Sequence, residues 1–187
     1  MRAPITDPTF QILPATPDML SDILSLEEAC FSSPWTRKML EAELTGNQFA
    51  HFLVALQKEQ GETGGPTAVI GYHCFWIVFE ELRLMNLAVQ ASMRRRGVGR
   101  ALVTEAIRRG LTHTATRAVL EVRASNEPAQ SLYRRLGFVE ISRRPRYYSN
   151  PDEDAVLMEL DPLTLETQRR RDNVLATGGG STTTDSR

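Results

Sequence analysis

The sequence predicts an α+β (mixed α/β) fold in which helices flank one central sheet, and three patterns support this prediction. Apolar residues recur at helical spacing near the N-terminus and again after residue 97. Several short runs rich in β-branched and aromatic residues are typical of strands. Strands and helices alternate in the middle of the chain, whereas strands close the C-terminal part, an order that favours mixed α/β and α+β domains.

In the first half of the chain, the predicted order is strand, helix, helix, strand, strand, strand. FQIL starts a strand, and PDMLSDILSLEEACF carries apolar residues at helical spacing. SSPWTRKMLEAEL predicts a second helix, with Pro34 near its first turn. HFLVAL, AVIGYHCFWIV and LRLMNLAV predict strands, and the glycine-rich EQGETGGPT predicts a surface turn.

The second half begins with SMRRRGVGRALVTEAIRRG, residues 92–110, in which arginines and glycines directly precede an amphipathic helix. AVLEV is the next strand, NEPAQSLYRRLG is a helix that ends at Gly137, and FVEISRR and DAVLMEL complete the strands. The chain becomes polar after Pro162. We therefore predict a flexible N-terminus over residues 1–9, one domain over residues 10–163 and a disordered tail over residues 164–187.

Composition limits the classes of function. The 187 residues include 41% hydrophobic and 24% charged residues, which suits one domain with a sizeable core, and the net charge of −1 does not indicate direct nucleic-acid binding. The chain has no apolar run near the roughly 18 residues of a membrane span and no signal-peptide pattern. Cys30 and Cys74 lie far apart, and the histidines have no metal-site spacing. These features predict a cytoplasmic protein without a metal.

The segment RRRGVG, residues 94–99, predicts a phosphate-binding turn. The first turn of a helix leaves backbone N–H groups unpaired and carries partial positive charge, and glycines let an anion approach that backbone closely. The pattern is short, however, and it is also explained by a helix that begins near solvent with arginines on its solvent-exposed face. The segment lacks the Gly-Lys-Ser/Thr ending of a Walker loop, which speaks against that nucleotide site. Leu102 stands where a Rossmann loop requires a third glycine or alanine, which speaks against a dinucleotide site.

This segment resembles the pyrophosphate loop of the GNAT superfamily of acetyl-CoA-dependent N-acetyltransferases. An early SPW, LEVRASN, LYRRLGF and RYYSNPDEDAVLMEL follow the order found in that superfamily. From about Phe10 to Leu160 the set is similar to the bacterial ribosomal-protein alanine N-acetyltransferases of the RimI type. The resemblance implies the GNAT fold, a central mixed, mostly antiparallel sheet with flanking helices and two parallel strands that splay apart.

The resemblance also implies acetyl-CoA as the co-substrate and assigns its contacts. The pantetheine arm would enter the gap between the splayed strands and pair with the backbone of Leu87, Ala88 and Val89. Asn126 would contact the arm from the start of the following helix. The pyrophosphate would lie on the backbone N–H groups of Arg95, Arg96, Gly97, Val98, Gly99 and Arg100.

Two residues are candidates for acid–base chemistry. Glu121 interrupts the apolar strand AVLEV, where loss of hydration would make it a stronger base. Strand alternation alone also allows an ordinary charged residue on the solvent-exposed face of the strand. Tyr133 follows Asn126 by about two helical turns and could protonate a departing thiolate, with a half-buried packing tyrosine as the ordinary alternative. By resemblance, Glu121 is the general base and Tyr133 the general acid.

Arg146, Tyr147 and Tyr148 match a segment that borders the peptide cleft in the family, so the resemblance implies that they contact the acceptor. The implied acceptor is the N-terminal α-amine of a protein, the N-terminal alanine of small-subunit ribosomal protein eighteen. Two alternatives stay open: an acetyltransferase acting on a lysine side chain or a small amine, and a CoA-binding sensor without turnover. The presence of both Glu121 and Tyr133 speaks against the sensor.

Overall fold

The computed structural model of the chain describes residues 9–58 and 66–164. The α-helices are α1 (Leu20–Cys30), α2 (Arg37–Glu41), α3 (Val98–Thr112) and α4 (Glu127–Arg135). The strands are β1 (Phe10–Pro14), β2 (Ala50–Lys58), β3 (Pro66–Val78), β4 (Glu81–Val89), β5 (Arg117–Arg123), β6 (Val139–Tyr148) and β7 (Glu153–Leu160). Most of the predicted flexible N-terminus, of the EQGETGGPT turn and of the predicted disordered tail lies outside the described residues, so those three assignments stay predictions.

One seven-stranded sheet forms the centre of the fold, in the order β1-β2-β3-β4-β5-β7-β6. Neighbouring strands are antiparallel, with the exception of β4 and β5, which run parallel. This arrangement confirms the predicted fold class, a mixed and mostly antiparallel sheet with flanking helices.

The parallel pair separates into a gap part-way along its length. Residues 81–84 of β4 pair with residues 117–120 of β5, and the ladder stops there. Beyond it, Met85 and Asn86 of β4 stand opposite the single Cys74 of β3, a β-bulge that bends β4 away from β5. The ends of β4 and β5 therefore form the two walls of a gap, as the splayed strands of the resemblance imply.

Helices cover both faces of the sheet. α3 and α4 pack on one face, where the core includes Leu102, Ile107 and Phe138. α1 and α2 pack on the other face, around Ile23 and Leu40. We call these two sides the α3 face and the α1 face.

The side chains of β5 divide between these two faces. Ala118, Leu120 and Val122 belong to the core of the α3 face. Successive side chains along a strand point to opposite faces. Glu121 and Arg123 therefore lie on the α1 face, beside the gap.

The second helix begins slightly later than the sequence predicts. Thr36 is its N-cap, and the Thr36 hydroxyl accepts a hydrogen bond from the Met39 N–H at 3.3 Å. Pro34 thus lies in the turn between α1 and α2 rather than in the first helical turn. After Glu41 the chain continues as a π-helical turn, Ala42–Gly46.

Candidate active site

The turn before α3 has the geometry of an anion cradle. Gly97 lies in the left-handed region with φ 85° and precedes the first helical residue, Val98, without a side-chain cap. Arg95 also has a positive φ, 63°. Backbone N–H groups around such left-handed residues and in a first helical turn point outwards as donors. Because Arg96 and Arg100 are exposed beside them, the turn suits a group with several negative charges.

Gly99 lies in the first turn of α3 and faces the gap. A Cβ atom there would lie 3.6 Å from Leu132 and from Val89, and 3.9 Å from Leu87, which is ordinary van der Waals contact. The fold would therefore accept a side chain at this position. A ligand that passes between the end of β4 and α4 gives a reason for the glycine. The resemblance predicts the pyrophosphate and the adjoining arm of acetyl-CoA for this passage.

The backbone groups at the end of β4 point in two directions. The Gln90 N–H donates to the Ile70 carbonyl of β3 at 2.9 Å. In an antiparallel pair every second residue exchanges hydrogen bonds with the same neighbour, so Ala88 is directed at β3 as well. Leu87 and Val89 are directed into the gap, which makes them the better candidates for pairing with an extended arm.

Arg94 is exposed, and its guanidinium contacts one end of this wall. Its Nε donates to the Val89 carbonyl at 3.1 Å, and its Nη2 lies 3.6 Å from the Cys30 sulfur. The Cys30 thiol lies 3.6 Å from the same carbonyl. The Val89 N–H and both backbone groups of Leu87 are therefore the atoms of β4 that are best placed to pair with the arm.

Glu121 is partly hydrated and ion-paired. Its side chain is 19% exposed, and its Oε1 accepts a hydrogen bond from Arg144 Nη1 at 3.0 Å. The carboxylate is thus less enclosed than its position in an apolar strand predicts, because it points to the α1 face beside the gap. That position leaves it reachable by an amine from outside, as a base for an external acceptor must be.

Tyr133 is enclosed in the core of the α3 face. It is 6% exposed, and its ring lies edge-on to Phe138 with centroids 5.8 Å apart. Burial, with a smaller contribution from Tyr148, raises the pKa of the Tyr133 hydroxyl. The phenol therefore keeps its proton at neutral pH, as a proton donor must.

Asn126 is the N-cap of α4. Its Oδ1 accepts a hydrogen bond from the Ala129 N–H at 3.2 Å, which accounts for an asparagine at the start of this helix. A contact with the pantetheine arm would then use the side-chain nitrogen, and it stays a prediction.

Tyr147 and Tyr148 form an aromatic wall at the end of β6. Their rings are perpendicular with centroids 5.1 Å apart, and Tyr147 is 49% exposed. Burial, followed by Tyr147 and Glu121, raises the pKa of Tyr148 to about 12. The Arg146 N–H donates to Asp154 at 2.9 Å. All three predicted acceptor-contact residues thus lie at the end of β6 that approaches the candidate base.

Glu27 is a buried carboxylate that the sequence interpretation missed. It accepts hydrogen bonds from the Tyr72 hydroxyl, from Asn86 Nδ2 at 2.8 Å and from the Trp35 N–H at 2.9 Å. Burial raises the pKa of Glu27, and these three donors oppose the shift. Glu27 thereby ties the β-bulge of β4 to the turn after α1. Its spacing of four residues from Ile23, on the buried stripe of α1, is the signal in the sequence.

In residues 9–58 and 66–164, no group of three or more His, Cys, Asp or Glu side chains is arranged to hold a metal ion. No helix in these residues has the length and apolar character needed to cross a membrane.

Replacing Gly99 by valine is expected to lower the affinity for acetyl-CoA by at least about tenfold, because the branched side chain would occupy the passage between β4 and α4. Calorimetry measures the affinity, and Gly46→Val is the control, since a Cβ at Gly46 meets no atom within 4 Å. Gly97→Val should weaken binding too, but its φ of 85° makes any side chain strained. Unchanged affinity in folded Gly99→Val would exclude this turn from the cofactor site.

Known proteins are similar to this chain in both sequence and fold. The model of the acetyltransferase (GNAT) family matches residues 20–138. The ribosomal protein bS18-alanine N-acetyltransferase of Escherichia coli (strain K12) is 33% identical over 142 residues, which are 75% of this chain and 88% of that protein. The crystal structure of the ribosomal-protein-S18-alanine N-acetyltransferase from Escherichia coli has a TM-score of 0.70 at 27% identity, covering 83% of this chain and 95% of that one. A chain of the crystal structure of the NatC complex bound to Gag peptide and CoA has a TM-score of 0.71 at 25% identity, covering 83% of this chain and 99% of that one.

Proposed function

The chain belongs to the acetyltransferase (GNAT) family, and we propose that it transfers the acetyl group of acetyl-CoA to the N-terminal α-amine of a protein, the N-terminal alanine of ribosomal protein bS18. The observation that carries the proposal is the gap between β4 and β5, with the anion cradle before α3 near one wall and Glu121 on the other. The name of the Escherichia coli relative supports the choice of acceptor.

The two sheet faces separate the two substrates. The start of α3 and α4 pack on the α3 face, whereas Glu121 points to the α1 face. Acetyl-CoA therefore approaches from the α3 face and the acceptor from the α1 face, and their reacting groups meet in the gap. Tyr147 and Tyr148, together with Arg146, line the acceptor side.

Backbone groups hold acetyl-CoA in this proposal. Leu87 and Val89 pair with the pantetheine arm, with Ala88 and Asn126 next to it. Exposed arginines beside the turn attract the negatively charged cofactor. The pyrophosphate is held by the N–H groups of Arg95, Arg96, Gly97, Val98, Gly99 and Arg100.

Glu121 and Tyr133 take the two catalytic roles, base and acid, in this proposal. Glu121 accepts a proton from the acceptor amine, directly or through one water, which frees the nitrogen lone pair to attack the thioester carbonyl. Acetyl-CoA supplies the acyl group. As the C–N bond forms and the C–S bond breaks, Tyr133 donates its proton to the departing sulfur. The nitrogen of the new amide gives up its second proton, directly or through water, to the Tyr133 phenolate, which restores the tyrosine. Glu121 later releases its proton to solvent, so the net products are the amide, free CoA thiol and one proton.

We assign the reaction to the cytoplasm. Cys30 and Cys74 are both free thiols, which suits a reducing compartment. A ribosomal protein as the acceptor agrees with this assignment.

Release of free CoA thiol tests the proposal. A peptide with the N-terminal sequence of bS18 should stimulate thiol release from acetyl-CoA, whereas the same peptide with a blocked N-terminus should not. A protein that binds acetyl-CoA but releases no thiol with any peptide or small amine would be a sensor, and the proposal would be wrong.

A further inference from the structure

Two consecutive side chains of β4 lie on the same face of the sheet. Met85 packs against the core of the α1 face, and the Asn86 amide reaches Glu27 on that face. Leu87 and Val89 then pack on the α3 face. Because side chains alternate along a regular strand, this repetition marks the extra residue of the β-bulge, and it shifts the alternation of every residue that follows.

The bulge decides where the end of β4 presents its hydrogen-bonding groups. Backbone groups alternate between the two neighbours of a strand, as side chains alternate between its faces. A regular β4 would therefore direct Ala88 into the gap and turn Leu87 and Val89 towards β3. With the bulge, Leu87 and Val89 are directed into the gap, where the proposed function places the arm of acetyl-CoA. Pairing with the arm thus depends on the bulge.

Glu27 holds the side chain of Asn86 from the α1 face. Its Oε1 accepts hydrogen bonds from Asn86 Nδ2 at 2.8 Å and from the Trp35 N–H at 2.9 Å, and its Oε2 accepts one from the Tyr72 hydroxyl. The Glu27 side chain is fully buried, so these donors take the place of water around the carboxylate. Asn86 is therefore bonded to a carboxylate that its other partners keep fixed.

His73 holds the backbone carbonyl of Asn86 from the α3 face. Tyr72 and Cys74, its neighbours on β3, belong to the core of the α1 face, so His73 points the other way. Its Nδ1 lies 3.0 Å from the Asn86 oxygen, and because a carbonyl can only accept, Nδ1 is the donor. Burial lowers the pKa of His73 to about 4, so the ring is neutral at neutral pH. Among the described residues, Nε2 has no hydrogen-bond partner, so the polar role of this buried ring there is its bond to Asn86.

We propose that Asn86 is the positioning residue of the cofactor wall, held by Glu27 on one face and by His73 on the other. In this position it keeps the bulge that turns the backbone of Leu87 and Val89 towards the pantetheine arm. The inference rests on the proposed function, because it concerns the binding of acetyl-CoA.

The role of Asn86 separates the arm of the cofactor from its pyrophosphate. The anion cradle belongs to the turn before α3, which begins after β4 has ended. Loss of the bulge should therefore weaken the binding of acetyl-CoA but not of 3′-phospho-ADP, the part of the cofactor that carries the pyrophosphate without the pantetheine arm. General damage to the fold would weaken the binding of both.

The test uses wild type, Asn86→Leu, Glu27→Leu, Glu27→Gln, His73→Phe and the control Asn47→Leu. Asn47 Nδ2 donates to a carboxylate oxygen of Glu43 at 2.8 Å, so the control removes an amide–carboxylate bond of the same length, at the end of the π-helical turn. Calorimetry measures the Kd of acetyl-CoA and of 3′-phospho-ADP. Steady-state kinetics with a peptide of the bS18 N-terminal sequence give kcat and the peptide KM.

Asn86→Leu and Glu27→Leu should each raise the acetyl-CoA Kd by about tenfold, as expected when a hydrogen bond to a buried charge is lost. The Kd of 3′-phospho-ADP and the peptide KM should stay within about twofold. Glu27→Gln should lose less than Glu27→Leu, because its amide oxygen can still accept from Asn86. His73→Phe should also lose less, since it removes a bond between neutral groups. Asn47→Leu should behave as wild type.

An unchanged acetyl-CoA Kd in folded Asn86→Leu would overturn the role of Asn86, and so would an equal rise in the Kd of both ligands. Should Asn86→Leu not fold, Asn86→Ser, whose side chain is too short to reach Glu27, must show the same selective loss. A wild-type protein that binds no acetyl-CoA, or that binds it without acetylating any peptide, would instead overturn the proposed function.

Discussion

Glu121→Gln is expected to lower the turnover rate by roughly 10²- to 10⁴-fold, the usual contribution of general acid–base catalysis. Glutamine keeps the shape of the side chain and can still accept a hydrogen bond from Arg144, but it cannot take a proton. The loss should be partly recovered at high pH, where the acceptor amine is already deprotonated. Steady-state kinetics over a pH series measure both effects.

Glu159→Gln is the matched control for this substitution. Glu159 lies on β7, is 22% exposed and is ion-paired with Arg117 at 4.0 Å, so it resembles Glu121 in exposure and pairing but lies away from the gap. It should keep wild-type turnover. A Glu121→Gln enzyme that retains more than half of wild-type turnover would remove Glu121 from the role of base.

Tyr133→Phe is expected to lower kcat by at least roughly 10²-fold, because the departing thiolate loses its proton donor. The acetyl-CoA Kd should change little, since the ring and its packing remain. Calorimetry for binding and initial rates at saturating substrates for kcat separate the two quantities.

Phe138→Leu controls for packing around Tyr133. It removes the edge-on ring contact of 5.8 Å but leaves the Tyr133 hydroxyl in place. If Phe138→Leu reduced kcat as strongly as Tyr133→Phe, the phenol would be a packing residue and another group would have to protonate the sulfur.

Local patterns in the sequence predicted the elements of the fold well. Apolar spacing identified α1 and α3, and β-branched runs identified the strands, because both signals depend on residues that are close in the chain. The glycines of the turn before α3 could also be interpreted locally. A left-handed φ at Gly97 and a site for an anion are properties of a short segment.

Relations between distant segments could not be predicted from such patterns. Residue spacing does not show that Arg144 pairs with Glu121, because the ion pair depends on β7 lying between β5 and β6. The same holds for Glu27, whose three donors come from β3, β4 and the turn after α1. Arg123 likewise has its partners only because the turn after α1 and the loop between β6 and β7 meet beside it.

Acetylation of two matched peptides tests the central claim most directly. One peptide has a free N-terminal alanine, and the other has the same sequence with a capped N-terminus and an internal lysine. At about pH 7.5, deprotonating an α-amine costs less than about 1 kcal/mol, whereas a lysine costs about 4 kcal/mol, so a site with one base favours the α-amine. Mass spectrometry should locate the acetyl group on the first residue, with a higher kcat/KM for the free peptide. A higher kcat/KM for the capped, lysine-bearing peptide would contradict the account and make a lysine side chain the acceptor.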